Sequence, residues 1–172
     1  EYFLSHYDDV RKALILEPRG HDNMFGSVLC EPCDKRADFG IFFIESAGML
    51  NMCGHGTIAT TTALINLGIV NTGGKDETLV VFDTPAGLVS ATAHLCGDKV
   101  NSVCFRNVPS FLYKRDCSVL LPEYGEIKFD ISFGGSFFAA VPAEQFGLEI
   151  DVKNTQLLTE IGMKLKNIIN RT

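Results

Sequence analysis

Residues 49–68 read MLNMCGHGTIATTTALINLG, and the fold turns on how that stretch divides. Ile58, Ala59, Ala63, Leu64 and Leu67 recur at helical spacing, so residues 57–67 are expected to form a helix, with Gly68 as its stop. Thr57, Thr60, Thr61 and Thr62 give that helix poor intrinsic propensity, so packing has to hold it. Upstream, GIFFI (40–44) is a short apolar run of aromatic and β-branched residues, the pattern of a buried strand, and SAG (46–48) turns the chain. Cys53, Gly54, His55 and Gly56 therefore stand where a strand end passes into a helix.

Working outward, strands are expected at 78–82, 87–93 and 100–105, separated by the turn chemistry of TPAG (84–87) and CGD (96–98). Further strands are expected at 119–121, 126–131 and 133–141, the last loosened at its entry by Gly134 and Gly135. Residues 8–16 are helical in composition. A closing helix from 154 or 155 to 169 carries Leu157, Leu158, Ile161, Leu165, Ile168 and Ile169 on one stripe. The sum is an α+β chain, expected to divide into a first domain over 1–115 and a second over 116–172.

Composition narrows the function. Fifteen Lys and Arg against 21 Asp and Glu give a net charge of −6, with no basic run, so nucleic-acid binding is not expected. No apolar stretch is long enough to span a bilayer, and the opening residues do not read as an export signal, so no membrane partner and a cytoplasmic location are the expectation. Thirteen Phe among many aliphatics supply a core, which excludes disorder. Cys30-x-x-Cys33 is the only pair with metal-like or redox-like spacing among the six cysteines. It has no second pair and the histidines are scattered, so a turn with loop cysteines is favoured over zinc.

The junction at Cys53 is where chemistry is expected. Unpaired N–H groups and the helix dipole favour an anion at a helix start. That geometry stabilises a thiolate at Cys53 and lets the Gly54 and His55 backbone hold a substrate carboxylate. A thiolate beside a carboxylate can lift the proton from the adjoining carbon. The competing readings are a buried, inert cysteine, a carboxylate-binding module without chemistry, and a Cys–His hydrolase. The hydrolase is disfavoured because His55, two residues on, is expected to point away from the thiol. The loop EPRGHDNMFG (17–26) reads as a solvated turn with Arg19 and Asp22 paired, and FGGSFF (133–138) as a place of close backbone approach.

Five stretches in order, EPRGHDNMFG (17–26), MLNMCGHGTIA (49–59), DTPAGLV (83–89), NVPSFLY (107–113) and FDISFGGSFF (129–138), resemble the proline racemase family. That family includes proline racemases, hydroxyproline 2-epimerases and trans-3-hydroxyproline dehydratases. The resemblance implies a diaminopimelate-epimerase-like fold with the site between two domains, a proline or hydroxyproline substrate, and no cofactor or metal. It also implies a homodimer for the full-length protein. One cysteine removes the Cα proton and a second delivers one to the opposite face. Cys53 matches the first cysteine, Gly54 and His55 match substrate-binding neighbours, and Phe25 matches an aromatic wall characteristic of proline racemases. The family's second cysteine, in an Asp-x-Ser-Pro-Cys-Gly-Thr-Gly segment, has no counterpart here, nor has its His-Thr-x-Gly-Glu strand. The chain is therefore expected to be an internal piece, most of a first domain and the opening of a second.

Overall fold

The structure, a computed structural model, describes residues 2–171 and separates into two compact units, 1–109 and 110–172. The first unit runs α1 (Tyr2–Ile15), β1 (Phe25–Cys30), β2 (Phe39–Glu45), β3 (Gly48–Leu50), α2 (Gly54–Asn66), β4 (Glu77–Thr84), β5 (Gly87–Cys96) and β6 (Lys99–Arg106). Its strands lie in the order β1-β2-β4-β5-β6, with β3 also paired to β2. Only β2 and β4 run parallel, and the rest is antiparallel.

Alternation decides which face is buried. In β4, Val80, Phe82 and Thr84 point inward, and in β5 Val89, Ala91 and Ala93 do. Phe43, Ile41, Val80, Phe82 and Ala91 form one cluster with Leu64 of α2 and with Cys53. The helix packs on β6, β1 and β5, so the sheet wraps it.

The buried threonines of α2 are each satisfied. Thr57 Oγ1 donates to the Cys53 carbonyl at 2.8 Å and Thr61 Oγ1 to the Thr57 carbonyl at 2.8 Å, while Thr60 Oγ1 lies 2.6 Å from Ser27 Oγ of β1. This is how packing holds a helix that propensity does not. The helix opens at Gly54, three residues before the expected start, because no residue up to Thr57 interrupts the helical backbone.

Arg11 fastens α1 to the sheet. Its side chain is buried, with Nη1 donating to the carbonyls of Glu45 and Ser46, each at 2.8 Å, and Nε donating to Asp8 at 2.6 Å. That pairing, with Lys12 beside it, holds the Asp8 carboxyl down at about 2.

In the second unit β7 (Phe111–Leu121), β8 (Gly125–Phe133) and β9 (Phe137–Ala140) form an antiparallel sheet. Short 3-10 turns at Ala143–Phe146 and Val152–Asn154 lead to α3 (Thr155–Ile169). Ile161 and Leu165 of α3 pack on Val119, Leu121, Ile127 and Phe129. The division expected after residue 115 falls inside β7, whereas the compact units meet after Pro109.

Three local readings change. β1 lies in a stretch taken for loop, because it is an edge strand without a buried face. β7 begins at Phe111 rather than 119, since its first six residues are exposed on both sides and give no alternation. Gly134 is not a point of close approach: a Cβ there would touch nothing within 4 Å, and with Gly135, at φ +106°, it turns β8 into β9.

Candidate active site

Cys53 is the N-cap of α2, extended at φ −143° and ψ 116°, and its side chain makes no capping hydrogen bond. The first intrahelical bond is Thr57 N–H to the Cys53 carbonyl at 3.0 Å, so the N–H groups of Gly54, His55 and Gly56 precede the helical ladder. They are the donors that an anion at this helix start would meet.

His55 does not point away. Its Nδ1 and Nε2 lie 3.6 and 3.8 Å from Cys53 Sγ. The expectation assumed helical side-chain directions for both residues, but Cys53 is extended, and that swings its thiol alongside the first turn. Near-equal distances from both ring nitrogens put the sulfur beside the ring, off the in-plane axis of either nitrogen. This is a packed contact and not the aligned hydrogen bond that a Cys–His hydrolase needs.

Phe25 completes the group, its ring meeting His55 edge-to-face with centroids 4.9 Å apart. The loop before β1 delivers it. Gly20 folds back so tightly that a Cβ there would overlap the Ile15 carbonyl, and Asn23 N–H bonds His21 Nδ1 at 3.2 Å. Arg19 donates to the Ala13 carbonyl at 3.1 Å, in place of the expected pairing with Asp22. Phe25 is thus brought against the contiguous segment of Cys53, Gly54 and His55.

The flanking glycines have a packing cause. A Cβ on Gly56 would lie 2.8 Å from Phe43 Cδ1 and 3.3 Å from Cys53 Sγ, and one on Gly54 would lie 2.8 Å from Phe105 Cζ. Sequence reasoning read these glycines as access for a ligand and missed Phe43 and Phe105 as the walls behind them. Cys53 itself is 7% exposed and shares the core cluster, so its thiol has one side in the protein interior. Among the described residues no three His, Cys, Asp or Glu side chains converge as metal ligands.

The model of the family described as proline racemase matches residues 1–172. The chain belongs to the proline racemase family. It is 51% identical over 170 residues to a proline racemase of Clostridioides difficile, covering 99% of this chain and 50% of that protein. It is 41% identical over 168 residues to a trans-3-hydroxy-L-proline dehydratase of Bacillus thuringiensis, covering 98% and 50%. A crystal structure of a hydroxyproline epimerase from Agrobacterium vitis, with bound trans-4-hydroxy-L-proline, superposes with a TM-score of 0.88 at 36% identity, covering 95% of this chain and 48% of that one. The chain spans about half the length of the curated relatives it matches. Its α+β fold is that of the proline and hydroxyproline epimerases, and its relatives are isomerases and a dehydratase of one family. No described helix is long and apolar enough to cross a membrane.

Proposed function

We propose that this chain carries the first half of the catalytic centre of a cofactor-independent proline racemase, with Cys53 exchanging the proton on Cα. The observation that carries this reading is Cys53 at the N-cap of α2, its thiol beside His55 and its own N–H neighbours unclaimed by a side-chain cap. The Cys53 thiolate takes the Cα proton, and the electron pair left behind spreads into the substrate carboxylate. The growing negative charge falls next to the backbone N–H groups of Gly54 and His55, at the positive end of the helix. A second acid, a cysteine by the family resemblance, returns a proton to the opposite face.

Phe25 is the reason for preferring proline. Its ring packs on His55 and offers an apolar wall to an unsubstituted pyrrolidine, where a hydroxyl would lose its hydrogen bonds. The second reading, hydroxyproline 2-epimerase or trans-3-hydroxyproline dehydratase, is supported by the dehydratase relative and the epimerase structure.

The test is Cα deuteration in D2O, followed by NMR on the full-length parent protein with L-proline, trans-4-hydroxy-L-proline and trans-3-hydroxy-L-proline side by side. Exchange into proline that Cys53→Ser abolishes is expected. Undiminished exchange in Cys53→Ser sinks the assignment, and preferential turnover of a hydroxyproline moves it to the second reading. The 172-residue chain alone, with one such cysteine, is expected to show no racemisation.

A further inference from the structure

We infer that Cys30 and Cys33 form a redox-active dithiol, separate from the Cys53 cluster, that closes to an intramolecular disulfide by exchange with a small-molecule disulfide. The sheet gathers the Cys30 sulfur and the Cys33 backbone around a single glycine. Gly40 of β2 is paired to Cys30 of β1 on one side and to Asp83 of β4 on the other. Cys30 Sγ leans over Gly40, so closely that a Cβ there would lie 2.8 Å from the sulfur and 2.7 Å from the Glu31 carbonyl oxygen. Beyond Pro32 the chain doubles back across the same residue. The N–H groups of Cys33 and Asp34 both donate to Asp83 Oδ2, at 2.8 and 2.9 Å, on the far side of Gly40. Adjacent strands are about 4.8 Å apart, so a segment leaving Cys30 and anchored at Asp83 has to fold over the gap that the missing side chain leaves.

Both thiols are free and exposed, and a small oxidant can reach them. Burial raises the Cys30 thiol above its ordinary range, with the charges of Cys33, Asp83 and Glu31 adding to it. With its sulfur packed over Gly40, Cys30 is assigned as the resolving group and Cys33 as the attacking one. The Cys33 thiolate attacks one sulfur of the small disulfide and expels the other as a thiolate. Cys30 then gives up its proton and attacks Cys33 Sγ, expelling the second small thiolate. Two protein thiols become one disulfide, one small disulfide becomes two thiols, and the two protons end on the released thiols.

The test is peptide mapping of the acid-quenched 172-residue chain after exposure to oxidised glutathione. The peptide holding residues 30–33 is expected two hydrogens lighter and free of glutathione, while Cys96 and Cys104, exposed and single, carry glutathione or stay reduced. Cys30→Ser is expected to trap glutathione on Cys33 as a stable adduct, with an unfolding midpoint like that of the parent chain. The inference is overturned by stable glutathione adducts on Cys30 or Cys33 in the parent chain, or by disulfides joining either residue to another cysteine. It is equally overturned if both stay reduced where Cys104 is fully modified.

Discussion

Gly56→Ala tests whether the glycines around Cys53 serve packing or access. The added methyl would sit 2.8 and 2.9 Å from Cδ1 and Cε1 of Phe43 and 3.3 Å from Cys53 Sγ. Phe43 is fully buried in the core cluster that holds Ile41 and Phe82, so its ring has little room to move. Forcing one extra carbon into such a site costs about 1–3 kcal/mol. Replacing glycine in a helix returns up to about 1 kcal/mol, less in the first turn. The expected net loss is about 1–2 kcal/mol, read as a lower urea midpoint, or as a melting point lower by about 5 °C per kcal/mol for a unit of this size. Gly162→Ala in α3 is the control, since a Cβ there meets nothing within 4 Å, and it should stabilise by up to about 1 kcal/mol. Combining Gly56→Ala with Phe43→Leu should cost less than the sum of the two, because the smaller side chain frees the space the methyl needs. If Gly56→Ala leaves the midpoint unchanged or raises it, the packing argument is wrong and the glycine is there for something that approaches Cys53.

Arg11→Met should destabilise by about 1.5–3 kcal/mol in urea titration, because it strips the Glu45 and Ser46 carbonyls of a charged donor; a change under a few tenths would show α1 to be held by other contacts. Asp8 is held at about 2 against an ordinary 3.8, so its contribution is present above 3.8 and is lost as pH falls through 2. Asp8→Asn should flatten the midpoint-versus-pH curve over that interval without abolishing the slope, since Arg36 holds Asp34 at about 2 in the same way. An unchanged slope would refute the pairing. Finally, Phe111, Tyr113 and Phe137 lie exposed in one chain of ring contacts, Phe111 and Phe137 against Phe133 and Tyr113 against Phe137, and β9 is an uncharged edge strand. Size exclusion with light scattering should show concentration-dependent association of the 172-residue chain, reduced in Phe137→Asp; a monodisperse monomer at every concentration would contradict it.

Local pattern carried far in some places and failed in others for identifiable reasons. The stripe on α3 and the alternation in β4 and β5 are readable because one face of each is buried, and burial writes its period into the residues. β1 and the first half of β7 are edge segments, β7 exposed there on both sides and β1 with only Gly26 and Val28 half-buried, so little or no period exists to be read. The ordered motifs from EPRGHDNMFG to FDISFGGSFF are equally local, and the resemblance they carry falls on Cys53, Gly54, His55 and Phe25.

What the amino-acid order carried alone was the family, the type of most elements, and Cys53, Gly54, His55 and Phe25 as the candidate residues. Tertiary structure decided how they meet. His55 reaches Cys53 because the cysteine is extended and not helical, and Phe25 leans on His55 from a strand some thirty positions earlier. Gly54 and Gly56 answer to Phe105 and Phe43, rings that only the wrapped sheet brings to the helix start. Cys30 Sγ lies over Gly40 and the Cys33 N–H meets Asp83, residues that come from two other strands. Apart from the local Cys53–His55 contact, these join segments distant along the chain, and steric fit between such segments has no imprint in the spacing of residues within either one.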